Sequence, residues 1–205
     1  MTKLGKIESV NVRDVWKDEA KDFTPWIASE EGLRLISNEL GVELELISRE
    51  RRAGSFKADI VAKIVDEDEE DDHKVIIENQ LNSTDHDHLG KIITYAAGHN
   101  AVTCVWVEPA FMDDHRQAID WLNEHMSDIA FFALEISVKK IGNSEPAPML
   151  KVISSPNEWT RAVRGGKNKD YSEVKLEQLN FWKELQVYAN NKKGSGVQVS
   201  RAPKV

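Results

Sequence analysis

Seven consecutive acidic residues at 66–72 separate two apolar segments, and no other feature of the chain constrains its fold as strongly. Adjacent like charges repel one another and are too costly to bury, so this acidic segment must form a solvated loop. The flanking segments, 56–65 and 73–81, are rich in valine and isoleucine, as strands usually are. We therefore predict that they pair as an antiparallel hairpin with the acidic loop at its tip.

The rest of the apolar pattern predicts an α/β fold with a mixed sheet. The alternating segment 42–47 precedes the hairpin and adds a third strand to it. Apolar spacing predicts helices at about 29–41, 84–98 and 113–125, and apolar runs predict further strands at 101–107, 129–138 and 150–153. We expect Ser83 or Thr84 to cap the second helix, and Trp106 and Trp121 to be core or packing residues. This order of elements is typical of an α/β domain.

The net charge of −8 is unevenly distributed along the 205 residues. The stretch 161–205 contains ten basic and four acidic residues, and a second basic cluster lies at Arg49, Arg51, Arg52 and Lys57. Such asymmetry permits a face that binds a polyanion on an otherwise acidic protein. The alternative is that these charges only solvate the surface.

The composition indicates a cytoplasmic protein. No apolar run approaches the ~20 residues needed to cross a bilayer, and no apolar segment typical of a secretory signal follows Met1. The single cysteine, Cys104, excludes disulfides within the chain and cysteine-rich zinc frameworks. We therefore expect no association with a membrane.

Two acidic residues in the predicted hairpin, Asp59 and Glu78, are candidates for a metal site. Each lies among apolar residues of a strand, where a carboxylate is costly unless something binds it. Antiparallel pairing can bring the two side by side, and strand alternation places Gln80 on the same face as Glu78. Paired carboxylates suit a hard divalent cation such as Mg²⁺, which can polarise a phosphodiester and activate water. The alternative is that both acids end their strands and face water.

The segment Asp59…Ile77-Glu78-Asn79-Gln80 resembles the signature of the PD-(D/E)XK nuclease superfamily, in which an Asp precedes a hairpin and Glu-x-Lys follows on the next strand. Residues 23–160 also resemble the nuclease-like N-terminal region of bacterial DUF4268-domain proteins. Besides the signature, this second resemblance is carried by the motifs Phe-Thr-Pro-Trp at 23–26, Ala-Asp-Ile at 58–60, Thr-Asp-His-Asp-His-Leu-Gly at 84–90, Thr-Tyr-Ala-Ala-Gly at 94–98 and Asp-Trp-Leu-Asn-Glu-His at 120–125.

The resemblance implies a restriction-endonuclease-like fold, with an αβββαβ mixed-sheet core flanked by helices and an extra C-terminal helix. It implies an endonuclease that hydrolyses DNA phosphodiester bonds with Mg²⁺, for which Mn²⁺ can substitute. The metal ligands would be Asp59, Glu78 and the backbone carbonyl of Asn79, and a Glu on the first helix would complete the site. Glu31 is our candidate for that Glu. The alternative for Glu31 is a surface acid that complements the helix dipole.

The chain departs from the signature at Gln80, where a lysine is expected. Glutamine can hydrogen-bond a water but brings no charge. Because some similar sites recruit a lysine from a neighbouring helix, Lys91 is our candidate, and it lies one turn before Tyr95 on the same helix face. The alternative for Lys91 is an exposed, solubilising residue. The predicted catalytic residues are Asp59, Glu78, Gln80 and Lys91, and the predicted nucleic-acid contacts are Arg51, Arg52, Lys57 and Tyr95.

The predicted organisation has five parts, namely an N-terminal segment at 1–22, the nuclease-like domain at 23–160, a linker at 161–173, an amphipathic helix at 174–190 and a disordered tail at 191–205. The amphipathic helix resembles the start of a DUF4268 domain that is otherwise missing, and it can mediate a homodimer. The expected partner is DNA. The missing signature lysine keeps open a second hypothesis, an inactive nuclease-fold module that binds nucleic acid or a protein.

Overall fold

One mixed β-sheet organises the described part of the chain, which comprises residues 4–53, 56–65, 73–99, 103–126 and 128–156 of a computed structural model. In chain order the elements are β1 (Ile7–Val10), α1 (Val12–Val15), a π-helical turn (Glu19–Phe23), α2 (Thr24–Ile27), α3 (Glu30–Leu40), β2 (Leu44–Ala53), β3 (Phe56–Ile64), β4 (Lys74–Asn79), α4 (His86–His99), β5 (Thr103–Glu108), α5 (Asp113–His125), β6 (Ala130–Ile141) and β7 (Ala147–Ser154). The predicted mixed α/β class is confirmed.

Antiparallel and parallel strand pairs are combined in this sheet. β2, β3 and β4 are antiparallel neighbours, whereas β4, β5 and β6 are parallel neighbours. β1 and β7 both pair antiparallel with β6. Parallel neighbours need a crossover connection, which α4 supplies between β4 and β5 and α5 supplies between β5 and β6. Both helices pack on one face of the sheet, since side chains from both belong to one buried cluster.

The predicted hairpin is present as the pair β3 and β4. Its register runs from Lys63 opposite Lys74 to Ile60 opposite Ile77. The acidic segment 66–72 lies outside the described residues. The register of β3 and β4 confirms the antiparallel pairing on which the candidate metal site depends.

The strand before this hairpin is longer than its alternating pattern indicates. β2 continues to Ala53, with Arg51 opposite Ala58 and Arg52 opposite Lys57. The predicted strand 42–47 is therefore too short at its C-terminal end, because pairing with β3 extends it through this basic segment.

Two buried clusters pack against opposite faces of the sheet. Alternate residues of β4 enter different clusters, with Val75 and Ile77 in the cluster that includes α2 and α3, and Ile76 in the cluster that includes α4 and α5. A strand that is buried on both faces shows this continuous apolar pattern. A carboxylate on β4 is therefore removed from contact with water when the chain folds.

Residues of the predicted N-terminal segment take part in the same sheet and core. Val10 of β1 pairs with Val138 of β6. The buried Trp16 packs its ring 5.0 Å from that of Phe23. The described residues all belong to one compact unit, Met1–Val163.

The junction of α2 and α3 is closely packed. Ser29 caps α3, because its hydroxyl accepts the Gly32 N–H at 3.3 Å and donates to the Trp26 carbonyl at 2.6 Å. A Cβ at Gly32 would lie 2.4 Å from that carbonyl oxygen and 2.6 Å from the carbonyl oxygen of Ile27. Gly41, in the left-handed conformation with φ 71°, ends α3. The predicted start and stop of this helix are confirmed.

The predicted cap of α4 is wrong, whereas Trp121 packs on a side chain of its own helix. The side chain that accepts an N–H at the start of α4 is Asp85, which bonds the N–H of His88 at 2.8 Å. Thr84 is instead buried and accepts the N–H of Met112 at 3.0 Å. Trp121 is 57% exposed on α5, where it stacks on His125 at 4.5 Å.

The predicted linker at 161–173, the amphipathic helix at 174–190 and the tail at 191–205 lie outside the described residues. Within the described ranges, none of the helices has the length and apolar character that a membrane crossing requires.

Candidate functional site

β3 and β4 stop pairing through their backbones where Asp59 and Glu78 lie. Continuing the register past Ile60 and Ile77 would place these two acids opposite each other. At this point hydrogen bonds to the two carboxylates replace the backbone hydrogen bonds between the strands. The Asp59 N–H donates to Glu78 Oε1 at 3.1 Å, and the Asn79 N–H donates to Asp59 Oδ2 at 3.2 Å. The two acids are therefore adjacent, as antiparallel pairing predicts.

The local backbone of β3 explains this position. Ala58 and Ile60 are two residues apart, yet they enter different buried clusters. In a regular strand such residues would share a face. The alternation is therefore interrupted at Asp59, whose carboxylate accepts the Asn79 N–H of the neighbouring strand β4.

Each carboxylate is held through one oxygen and keeps the other available. Among the described residues, neither Asp59 Oδ1 nor Glu78 Oε2 has a hydrogen-bond partner. Glu78 is 2% exposed. Burial raises the pKa of Glu78, and the neighbouring charge of Asp59 raises it further. Burial also raises the pKa of Asp59. Folding therefore makes both groups harder to ionise, and each resists ionisation more when the other is charged.

A third acid, Glu19, acts on this pair and was missed by the sequence analysis. Its charge raises the pKa of both Asp59 and Glu78. Glu19 Oε2 accepts the Leu81 N–H at 2.8 Å, which attaches the π-helical turn to the end of β4. No local pattern reveals a contact between residues 62 positions apart. Glu31, our sequence candidate for a third acid, is exposed in the first turn of α3.

Positive charge reaches the pair from α4. The charge of Lys91 lowers the pKa of both Asp59 and Glu78, and that of His88 lowers the pKa of Asp59. Lys91 is partly buried, so it is not the freely exposed residue of the alternative interpretation. The structure therefore brings Lys91 into the neighbourhood of both carboxylates.

Gln80 has a partner that the sequence analysis also missed. Its Nε2 donates to Glu108 Oε2 at 2.7 Å. Burial raises the pKa of Glu108 to about 8, and the hydrogen bond from Gln80 opposes that rise. A signal was present, because Glu108 ends an apolar strand just as Glu78 does. The same rule that identified Glu78 would have identified Glu108.

The other predicted site residues take varied positions. Asn79 is buried, and its Nδ2 donates to Thr24 Oγ1 at 2.8 Å. Tyr95 is 3% exposed and packs in the cluster beneath α4 and α5. The backbones of Arg51, Arg52 and Lys57 lie in β2 and β3, and their side chains lie outside the described part of the structure.

The donor set fits a divalent cation through the pair alone. In the described part of the chain, no three His, Cys, Asp or Glu residues form a group that could hold a metal ion. Mg²⁺ is commonly held by one or two carboxylates, with waters and substrate phosphates completing its coordination. Asp59 and Glu78 meet that requirement, since within the described ranges each has a free oxygen and neither has a cationic side chain at contact distance.

No family model and no curated protein matches this chain. A surface groove of about 830 Å³ between α3 and β2 includes neither carboxylate in its lining, so its size does not mark the site of chemistry.

Proposed function

We propose that this chain is a Mg²⁺-dependent endonuclease with a restriction-endonuclease-like PD-(D/E)XK fold, which hydrolyses DNA phosphodiester bonds. The observation that carries the proposal is the reciprocal arrangement of Asp59 and Glu78 between β3 and β4. A buried and a partly buried carboxylate, both of raised pKa, are costly to ionise side by side. A cation removes that cost.

The order of elements around the pair also supports the proposal. α3 precedes an antiparallel meander of β2, β3 and β4, and α4 then crosses to β5, which is parallel to β4. This is the αβββαβ order that the family resemblance implies. The two acids lie on the second and third strands of the meander, where the signature expects them.

The chain's own residues have distinct parts in this chemistry. Asp59 and Glu78 would hold Mg²⁺ through the oxygens that their backbone hydrogen bonds leave free. When bound there, Mg²⁺ supplies Lewis acidity that polarises the phosphodiester and makes water more acidic. Lys91 supplies positive charge from α4 for the phosphate group. Burial around the pair excludes bulk water and strengthens these interactions.

Plasmid nicking tests the proposal. Wild-type protein should convert supercoiled plasmid to open circles with Mg²⁺ or Mn²⁺ and not with EDTA. Asp59→Asn should reduce the rate to the EDTA background while the protein stays folded, because the amide oxygen can still accept the Asn79 N–H. Asp113→Asn, at an exposed position on α5, is the matched control and should cleave normally. Equal nicking by wild type and Asp59→Asn would reject the proposal.

A second function is favoured by one observation, the hydrogen bond that commits the Gln80 amide to Glu108. The signature expects a lysine at this position. This chain has glutamine there, which carries no positive charge, and its amide is bonded to Glu108. An inactive module on the same fold would bind nucleic acid or a protein without cutting. It would bind DNA in EDTA, with an affinity that falls as salt rises and is unchanged by Asp59→Asn.

A further inference from the structure

Gln80 and Glu108 form a buried pair beside the carboxylate site. The two side chains are 2% and 0% exposed, and the distance from Gln80 Nε2 to Glu108 Oε2 is 2.7 Å. Parallel pairing of β4 and β5 brings them together, since the Gln80 N–H donates to the Val107 carbonyl at 3.0 Å. Gln80 follows Glu78 by two residues, directly after the last residue of β4, and both side chains are 2% exposed.

The partner of the Gln80 amide determines which way that amide faces. Glu108 Oε2 accepts a hydrogen bond whether the acid is ionised or neutral, and the amide donates only through its NH₂ end. Turning the amide over would set two acceptor oxygens against each other whenever Glu108 is ionised, and it would leave a buried NH₂ group without a partner. In the observed orientation, Gln80 Oε1 points away from Glu108. Among the described residues this oxygen has no hydrogen-bond partner.

We infer that Glu108 is a positioning residue, which holds the Gln80 amide so that its carbonyl oxygen faces the water that attacks the phosphodiester. The inference rests on the proposed nuclease function. A lysine at this position would donate a hydrogen bond to that water, whereas Gln80 Oε1 accepts one from it. The direction of the hydrogen bond between this residue and the water is therefore opposite to the one that a lysine would make. Lys91 supplies the positive charge that glutamine lacks.

Hydrolysis of the phosphodiester requires no proton transfer to Gln80. The water oxygen bonds to phosphorus and one bridging P–O bond breaks. The proton of the water passes to solvent, and the departing oxygen takes one from solvent. Gln80 only orients the water, because an amide oxygen is too weak a base to keep a proton.

A double-mutant cycle tests whether Glu108 acts through Gln80. Glu108→Gln frees the amide to turn, and Gln80→Met removes the acceptor while keeping the volume. Each should lower kcat by about 10-fold with KM and Mn²⁺ affinity unchanged, because a misplaced reactant slows chemistry without weakening binding. The double variant should be no slower than Gln80→Met alone. Losses that multiply to about 100-fold would overturn the inference.

The control variant is Glu135→Gln. Glu135 acts on Glu108 through its charge and not through a hydrogen bond. If the 2.7 Å contact between Gln80 and Glu108 is what matters, Glu135→Gln should retain the wild-type kcat. An equal fall in kcat for Glu135→Gln would show that net charge, and not amide orientation, controls the rate.

A measurement on the wild-type protein without metal tests the same pair and needs neither activity nor a folded Glu108 variant. The side-chain NH₂ resonances of Gln80, assigned by their loss in Gln80→Met, should shift between pH 6.5 and 9.5 as Glu108 ionises, with a midpoint near 8, and the shift should persist in Glu78→Gln, where the Glu78 carboxyl no longer titrates. Resonances that do not move would overturn the inference and leave the nuclease proposal intact. Wild-type protein that fails to cleave with Mn²⁺ would instead overturn both.

Discussion

Glu78→Gln should stabilise the metal-free protein at pH 8, although it should abolish metal binding. The substitution removes one of two carboxylates that share a buried site. The amide oxygen of glutamine can still accept the Asp59 N–H, which Glu78 Oε1 accepts at 3.1 Å. The main change is therefore the loss of a carboxyl group whose ionisation in the folded chain is opposed by burial and by the charge of Asp59.

The expected gain is about 2 kcal/mol. Two unit charges about 5 Å apart repel by roughly 3 kcal/mol at an effective dielectric constant of about 20. A hydrogen bond to a neutral acceptor is weaker than one to a carboxylate by about 1 kcal/mol, which offsets part of that relief. For a protein of 205 residues the difference corresponds to a rise in Tm of roughly 4–8 °C.

The gain should depend on pH in a defined direction. Burial raises the pKa of Glu78 above its ordinary value of 4.5, so the folded protein retains a proton that the unfolded chain releases. The stability due to that proton is fully present below pH 4.5 and is lost as the pH rises through the folded-state pKa. Wild type and Glu78→Gln should therefore melt at similar temperatures at pH 5 and differ most at pH 8.

Thermal melts followed by circular dichroism in EDTA at pH 5 and pH 8 measure this difference. Glu124→Gln, which removes a charge from an exposed position on α5, is the matched control and should change Tm by little at either pH. A Tm for Glu78→Gln at pH 8 that is equal to or below the wild-type value would refute the reasoning. It would mean that the Glu78 charge is already neutralised within the chain.

Three other predictions concern the metal affinity and two glycines. The affinity for Mn²⁺, measured by titration calorimetry, should rise from pH 6 to pH 8 because Asp59 and Glu78 must lose protons of raised pKa before they bind a cation; a constant affinity would contradict a metal site at this pair. Gly32→Ala should lower the free energy of unfolding by about 1–3 kcal/mol in urea denaturation, because the new Cβ meets the Trp26 carbonyl at 2.4 Å. Gly90→Ala, in a helix with open space around it, should instead raise it by up to about 1 kcal/mol.

Features that depend on neighbouring segments could be predicted from the sequence. The hairpin of β3 and β4 follows from two apolar runs around a charged loop, and its antiparallel register then brings Asp59 beside Glu78. The limits of α3 follow from a capping serine and a terminal glycine, whose effects extend over only a few residues.

Features that depend on long-range geometry could not be predicted. Glu19 reaches the site because a π-helical turn docks on Leu81, and no repeat or spacing encodes that docking. The pairing of Gln80 with Glu108 depends on how α4 sets β5 against β4, which residue patterns do not specify. Trp121 shows the same limit, since the rotation of α5 about its axis decides whether a tryptophan is buried.

The contact between Glu19 and Leu81 matters for anyone who shortens this protein. A version that starts at residue 23 keeps both signature acids, yet it loses β1, the core ring of Trp16 and the side chain that satisfies the Leu81 N–H. Such a truncation would expose buried apolar surface and loosen the end of β4. An inactive fragment of that kind would report damage to the scaffold, and it would not count against the chemistry of the intact chain.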